Sequence, residues 1–241
     1  MYLSVIIPAY NEEKRIGKTI AEISDYLSKQ PFDYEIIVVN DGSIDKTQEI
    51  VRNLKLNIPN LEIIDNEKNK GKGYTVRKGL LKGKGKYRLF TDADNSTSIE
   101  EIEKFFPYLN NYDIIIGSRS IKGSIITNPQ PFYRKILGRF YGLLVWLIIG
   151  LWNIRDTQCG FKLFSAKSVE DIFLKCQISG WSFDVEILVL AKKFGYKIKE
   201  VPIIWADQSQ TKVRFKGMVK AIFDLLKIRW NLIVGRYRKK S

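Results

Sequence analysis

The 241-residue chain contains no histidine. That removes the Ser-His-Asp triad, the histidine-ligated zinc site and the imidazole general base. Acid–base work falls to carboxylates, lysine or tyrosine, or the chemistry needs no base. Cysteine is scarce too. Cys159 and Cys176 form no metal-ligand spacing, point to no oxidising compartment and are expected as small, semi-buried residues. The charge-free stretch 140–154, bounded by Arg139 and Arg155, has 15 residues, short of the roughly 20 that a membrane span needs. Internal repeats and low-complexity linkers are missing. No secretory leader is read, because Met1 runs straight into a strand-like segment.

What is present bounds the fold. The length suits one large domain or a domain with an appendage, and 45% hydrophobic residues fill a sizeable core. The net charge of +14 is lopsided: residues 1–120 hold 18 basic and 18 acidic residues, residues 121–241 hold 22 and 8. A neutral half joined to a basic half suggests catalysis in one and an anionic partner for the other. Long apolar stretches accompany the positive charge, which suits a membrane surface better than nucleic acid, and no nucleic-acid partner is expected.

Near-continuous Val/Ile-rich runs at Leu3–Pro8 and Tyr34–Asn40 read as strands buried on both faces of a parallel sheet. Further strands are expected at Leu61–Asp65, Lys86–Thr91, Asp113–Gly117 and Lys197–Trp205. Helices are expected from Asn11 for about five turns, with Glu12 and Glu13 in the first turn, and over Asp45–Leu56, Tyr74–Leu81, Ile99–Leu109, Ser182–Phe194 and Phe215–Val234. Alternating strands and helices imply an α/β, doubly wound sheet with its ligand beyond the carboxyl ends of the strands. Three polar segments fall there: Pro8-Ala-Tyr-Asn, Asn40-Asp-Gly-Ser and Thr91-Asp-Ala-Asp. In the last, Asp92 and Asp94 are spaced to point the same way where the chain stays extended. Two converging carboxylates repel unless a cation lies between them, and hard oxygen donors favour Mg2+ or Mn2+ bridging to phosphates. Asp and Asn are equally ordinary in a helix-capping loop.

The 140–154 stretch, with Arg134, Lys135 and Arg139 ahead of it and Trp146 and Trp152 within it, reads as a membrane-interfacial helix. The terminal helix places Phe215, Met218, Val219, Ile222, Phe223, Leu226, Trp230 and Ile233 on one side and Lys216, Lys220, Asp224, Lys227 and Asn231 on the other. It ends in the basic GRYRKKS, as a membrane anchor would.

Eight segments carry a resemblance: VIIPAYNEE (5–13), VVNDGS (38–43), NKGKGYTVRKG (69–79), TDADNS (91–96), GSRS (117–120), RDTQCGFKLF (155–164), GWSFDVEIL (180–188) and VPIIWADQSQTKVRF (201–215). In this order the chain resembles the inverting family-2 glycosyltransferases with the nucleotide-diphospho-sugar-binding (GT-A) fold, in the polyprenyl-phosphate branch. DTQCGFK and FDVEIL make it most like the dolichyl-phosphate β-glucosyltransferases. The resemblance implies a GT-A catalytic domain over 1–214 with a membrane-interfacial insertion at 128–154, then a basic amphipathic helix and tail at 215–241. It implies that Pro8, Tyr10, Asn11 and Glu12 line the base and ribose, that Asp41 hydrogen-bonds the base, and that Lys72, in the Gly71–Gly73 loop opening a helix, faces the diphosphate. Asp92, Ala93 and Asp94 bind the nucleotide sugar, the two aspartates through Mg2+ or Mn2+. Ser96 stands where relatives often place a stronger third ligand. Arg119, Arg134 and Lys212 hold a lipid phosphate, and Asp156 and Asp184 position sugar hydroxyls or merely cap and pair.

The implied reaction moves a hexose, glucose from UDP-glucose by resemblance, to dolichyl or polyprenyl phosphate with inversion at the cytoplasmic face of a membrane, the enzyme lying there as a peripheral or monotopic protein. A lipid phosphate is already ionised near neutral pH, so the missing histidine is no handicap. Two alternatives stand: a GDP-mannose-dependent mannose synthase, and transfer to a hydroxyl acceptor, which requires a base such as Asp184 or Glu186.

Overall fold

A computed structural model describes residues 1–128, 132–208 and 215–238, without the side chains of Tyr133, Arg134, Lys135, Phe215, Lys216 and Met218. Seven strands form the central sheet in the order β3-β2-β1-β4-β7-β5-β8. They are β1 (Leu3–Ala9), β2 (Tyr34–Asn40), β3 (Leu61–Asp65), β4 (Tyr87–Thr91), β5 (Ile114–Ser118), β7 (Phe161–Ser165) and β8 (Ile198–Pro202). Only β7 runs against its neighbours, pairing antiparallel with both β4 and β5. β6 (Ile125–Asn128) and β9 (Ile204–Ala206) make a separate two-stranded ribbon. The expected alternation therefore holds, and the sheet is mixed.

Both faces of the sheet are covered, which is why its strands read as unbroken apolar runs. On one side lies α1 (Ile16–Ser28), whose Ile16, Ile20, Ile23 and Leu27 follow helical spacing and are fully buried with Val5, Ile7 and Val38. The other side holds α3 (Lys72–Lys82), α5 (Ala166–Phe173) and α6 (Phe183–Lys193), packed through Val76, Leu80, Val169, Ile172 and Ile187 onto Ile6, Val39 and Phe90. α2 (Thr47–Lys55) packs beside α1, and α4 (Phe132–Ile149) lies along α7 (Phe215–Ile233). Because β1 pairs with β2 on one side and β4 on the other, all parallel, the carboxyl ends of β1, β2 and β4 open on one edge at a topological switch point.

Four expectations need correction. The first helix starts at Ile16, not Asn11. Asn11 has φ 54°, and the amides of Asn11, Glu12 and Glu13 donate to Ser43 Oγ, Thr47 Oγ1 and Asp45, so tertiary partners hold this stretch as a loop. Glu12 and Glu13 thus precede the helix. The expected helix over Ile99–Leu109 is two short 3-10 pieces, Ile99–Lys104 and Phe106–Tyr108, with Pro107 in the first turn of the second. The expected strand Lys197–Trp205 is split between the main sheet and the ribbon after Pro202. Asn231, expected on the polar side of α7, is instead buried with Ala221, Leu225 and Ile228, while the apolar stripe of Val219, Phe223, Leu226, Trp230 and Ile233 is exposed. The helix has two apolar faces, and the stripe legible in the sequence is the one the core does not use. α4 matches it: Ile136, Leu137, Phe140, Leu143 and Leu147 are exposed while Val145 and Ile149 are buried. Among the described residues no helix is long and apolar enough to cross a membrane.

Candidate active site

The site is built where β4 ends. The loop after Thr91 carries Asp92, Ala93 and Asp94 and is tied down on three sides. Thr19 Oγ1 of α1 donates to the Ala93 carbonyl at 2.9 Å, and the Asp92 amide donates to Gly160 O at 3.1 Å. Asn95, left-handed at φ 52°, donates from its amide side chain to Glu22, a backbone state that Asn tolerates. Ser96, expected as a weak third ligand, gives its backbone N–H to Asp94 Oδ1 at 3.0 Å.

The two aspartates face different company. Lys72 Nζ lies 2.6 Å from Asp92 Oδ1. Burial works against that ammonium, but Asp92, Asp184 and Asp94 carry its pKa above the ordinary lysine value. The same Nζ sits 5.2 Å from the ring centres of both Phe90 and Trp181, a cation–π cradle. Burial pushes the Asp94 carboxyl up, and the Asp92 charge pushes it further; Arg15, paired with Glu12, pulls the other way. A part-buried carboxylate whose proton affinity is raised by a neighbouring one is a fit for a divalent cation. Among the described residues no third acidic or sulfur ligand joins them, so a metal here would complete its shell from substrate and water.

The Gly71–Gly73 turn explains itself sterically. Gly71 has φ 96°, and a Cβ there would sit 2.4 Å from Ser179 O; one on Gly73 would sit 2.6 Å from Ile178 O. Only glycine lets the start of α3 lie flat against residues 178–179, with Gly73 N–H donating to Ser179 O at 2.9 Å. Asp41 is the anchor on the opposite side. Its Oδ1 accepts from Asn66 Nδ2 and Lys70 N and its Oδ2 from Gly71 N, each at 2.9 Å. The residue expected to touch the base therefore also grips the turn that opens α3.

Of the other expected residues, Arg119 and Asp156 meet directly. Arg119 Nε and Nη2 donate to Asp156 Oδ2 and Oδ1 at 2.7 and 2.9 Å, and Arg119 N donates to Oδ2 at 2.9 Å. Burial opposes the Asp156 charge, yet Arg119 holds its pKa below the usual carboxylate value. Toward the described residues Arg119 thus uses two of its five side-chain N–H donors and stacks 5.3 Å over Trp205. Asp184 is bound by Lys162, a fully buried lysine whose Nζ is 2.5 Å from Asp184 Oδ1 and also reaches Cys159 O. Burial pushes Asp184 up, against the pull of Lys162 and Lys72. Asp156 and Asp184 therefore act first as counter-ions to cations. Pro8, Tyr10, Asn11 and Glu12 line the β1 end of the same edge, Glu12 being salt-bridged to Arg15. Lys212 and the Arg134 side chain lie outside the described residues. Sequence reasoning missed Lys162, Gly160, Arg15 and Trp181. A lone lysine inside the apolar FKLF run was the available signal, since a charge in a buried strand needs a partner.

The site thus sets two aspartates at the switch point of a mixed sheet, with a lysine on a glycine turn beside them. Residues 4–173 match the family described as Glycosyl transferase family 2, and the chain belongs to that family. It is 39% identical over 239 residues to a dolichyl-phosphate beta-glucosyltransferase of Trichomonas vaginalis, covering 95% of this chain and 73% of that protein. To the human dolichyl-phosphate beta-glucosyltransferase it is 34% identical over 251 residues, covering 98% and 77%. Among solved structures it resembles glucosyl-3-phosphoglycerate synthase from Mycobacterium tuberculosis in complex with Mn2+, UDP and phosphoglyceric acid. That match has a TM-score of 0.71 at 16% identity, over 100% of this chain and 80% of that one, and bears out the GT-A fold.

Proposed function

We propose that the protein transfers glucose from UDP-glucose to dolichyl or polyprenyl phosphate with inversion at C1, an oxygen of the lipid phosphate displacing UDP. The observation that carries this is the state of the carboxylates. Asp156 is held low by Arg119, Asp184 is paired with buried Lys162, and Glu186 is fully buried with both oxygens accepting hydrogen bonds. None is placed to take a proton from a hydroxyl. A phosphate monoester, with its second pKa near 6, needs no such base. The dolichyl-phosphate beta-glucosyltransferase relatives support glucose as the sugar and dolichyl phosphate as the acceptor.

Asp92 and Asp94 are the residues that would hold Mg2+ or Mn2+, which when bound neutralises charge on the departing diphosphate. Lys72 supplies a second cation beside it. Pro8, Tyr10, Asn11 and Glu12 line the nucleoside, and Asp41 keeps the Lys70–Gly71 turn in place. Arg119, fixed by Asp156, orients the acceptor phosphate together with Arg134 and Lys212.

α4 and α7 pack together and each carries an exposed apolar stripe, in the half of the chain that holds all the net positive charge. They fit an anionic lipid surface, with 128–154 as an interfacial insertion on the 1–214 catalytic domain and 215–241 as its basic partner. The enzyme then sits as a peripheral or monotopic protein on the cytoplasmic face, where its lipid acceptor is embedded.

The test is a donor-by-acceptor matrix with purified protein and Mn2+. UDP-glucose with dolichyl phosphate gives glucosyl phospholipid, while GDP-mannose or free dolichol gives none. Product from dolichol would require a base and would overturn the proposal. Separately, Phe223→Glu with Trp230→Glu abolishes flotation with anionic vesicles. Undiminished flotation would refute the membrane face.

A further inference from the structure

Beyond residue 173, where the family match ends, a buried polar cluster ties the end of the chain to the floor of the Gly71–Gly73 turn. After α7 the chain reverses at Gly235, φ 72°, and returns Tyr237 to the core, where it is fully buried. Tyr237 Oη donates to Glu186 Oε1 at 2.6 Å. Asn231, also fully buried, donates from Nδ2 to Tyr237 Oη and to Gln177 Oε1, each at 3.2 Å. Glu186 in turn accepts the backbone N–H groups of Gln177 and Ile178, both at 2.9 Å. Those two residues lead into Ser179, whose carbonyl receives Gly73 N–H and against which Gly71 lies too closely for any Cβ. Lys72 stands between the two glycines.

We infer that Tyr237 and Glu186 are positioning residues for the diphosphate-facing turn, acting through the 177–179 segment on the placement of Lys72. The inference rests on the reading of that turn as the diphosphate site. A plain core network would serve stability alone. What distinguishes this one is its direction: its bonds lead through Glu186 to the backbone of Gln177 and Ile178, next to the turn. A carboxylate chelating two successive N–H groups fixes their peptide planes. The glycine contacts at 2.4 and 2.6 Å then leave the turn no room to shift independently of Ser179 and Ile178.

The experiment measures UDP and UMP affinity, with Mn2+, of the full chain at a temperature where circular dichroism shows each variant folded. Tyr237→Phe removes one hydrogen bond to a charged group and weakens UDP about five- to twentyfold, while UMP, which lacks the β-phosphate, is unchanged. In a Lys72→Met background the same change has no further effect on UDP, because the lysine it would displace is gone. Asn231→Ala keeps the Tyr237 hydroxyl, removes the amide that bonds both it and Gln177, and shows the same UDP-selective loss in smaller measure. Equal losses for UDP and UMP, an additive double-mutant cycle, or no loss at all would overturn the inference. If Lys72→Met itself left UDP affinity intact, the reading of the turn as the diphosphate site would fail instead.

Discussion

Adding one methyl group at Gly160 is the sharpest perturbation the site offers. A Cβ at this position would lie 1.9 Å from Asp92 Oδ2 and 2.4 Å from Asp92 Cγ, whereas real Cβ contacts essentially never fall under 3.0 Å. The carboxylate would have to retreat by about 1 Å, and the surroundings resist that. The Asp92 backbone is fixed by its hydrogen bond to Gly160 O, and Oδ1 is held at 2.6 Å by Lys72. Rotating the side chain away breaks the Lys72 pair; keeping it forces β4 and β7 apart. Either route removes Asp92 from the point it shares with Asp94. Displacements of ~1 Å cost on the order of 100-fold in rate, and overpacking of this kind destabilises by ~1–3 kcal/mol.

Gly160→Ala should therefore lower kcat/KM for sugar transfer about 100-fold and raise the Mn2+ concentration needed for half-maximal rate, in a protein that remains folded. Gly17→Ala, whose new Cβ meets Ile50 at an ordinary 3.4 Å, is the control and should keep full activity. The assay is radiolabelled glucose transfer to dolichyl phosphate across a Mn2+ titration, with thermal unfolding run in parallel. If Gly160→Ala retained wild-type rate and wild-type metal dependence, Asp92 would not be needed where the structure puts it, and the metal assignment would fall.

Three further outcomes are expected. Asp94→Asn relieves the repulsion that raises the Asp94 carboxyl, so it should increase the melting temperature of the metal-free protein while lowering transfer by more than about 100-fold; a melting temperature that falls would contradict the geometry. Asp156→Ala leaves the Arg119 guanidinium unpaired and should destabilise by ~3–5 kcal/mol, as broken buried pairs do, measured by urea unfolding. The pH dependence of Asp156 has a definite sign. Burial opposes its charge but Arg119 prevails, so its folded pKa lies below the ordinary 3.8. Its contribution is then fully present above that value and is lost as the pH falls through the folded one. The stability gap between wild type and Asp156→Asn should accordingly narrow on acidification below about pH 4; a gap that widened in acid would reverse the assignment.

The parts of the fold visible in the sequence were those governed by local pattern. Strand Tyr34–Asn40 falls where its apolar run falls, because a strand covered on both faces has no polar side to blur its ends. The polar strand ends did converge, since parallel neighbours must finish on one edge. What could not be read depended on partners far along the chain. Asn11–Arg15 looks helical by composition, yet Ser43, Asp45 and Thr47, 32 to 35 residues further on, hold the amides of Asn11, Glu13 and Glu12. Asp41 is expected to hydrogen-bond the base, and nothing in its local sequence showed that Asn66, Lys70 and Gly71 also donate to its oxygens. The apolar stripe on α7 was legible and is exposed, whereas the face that meets the core was not read, because Asn231 within it looks polar and Ala221 is too small to mark it.

The antiparallel strand β7 is the reason these separated motifs make one site. Its pairing sets Thr91 opposite Phe161 and Phe90 opposite Lys162, so reading β4 forward and β7 backward puts Asp92 beside Gly160. On its other edge Ile116 lies opposite Lys162, so the strand that leads to Arg119 runs alongside the segment that carries Asp156. A parallel β7 would place residues 155–160 at the opposite edge of the sheet, away from both aspartates. The register is as constrained as the direction: a slip of one residue would turn Lys162 away from Asp184 and into the face packed with Phe105 and Val201. Lys162 and Gly160 therefore work as a pair, one charged and one absent side chain, that admits a single alignment of β7. In that alignment the loop after β4 has room for two carboxylates and no room for anything larger on the strand beside it.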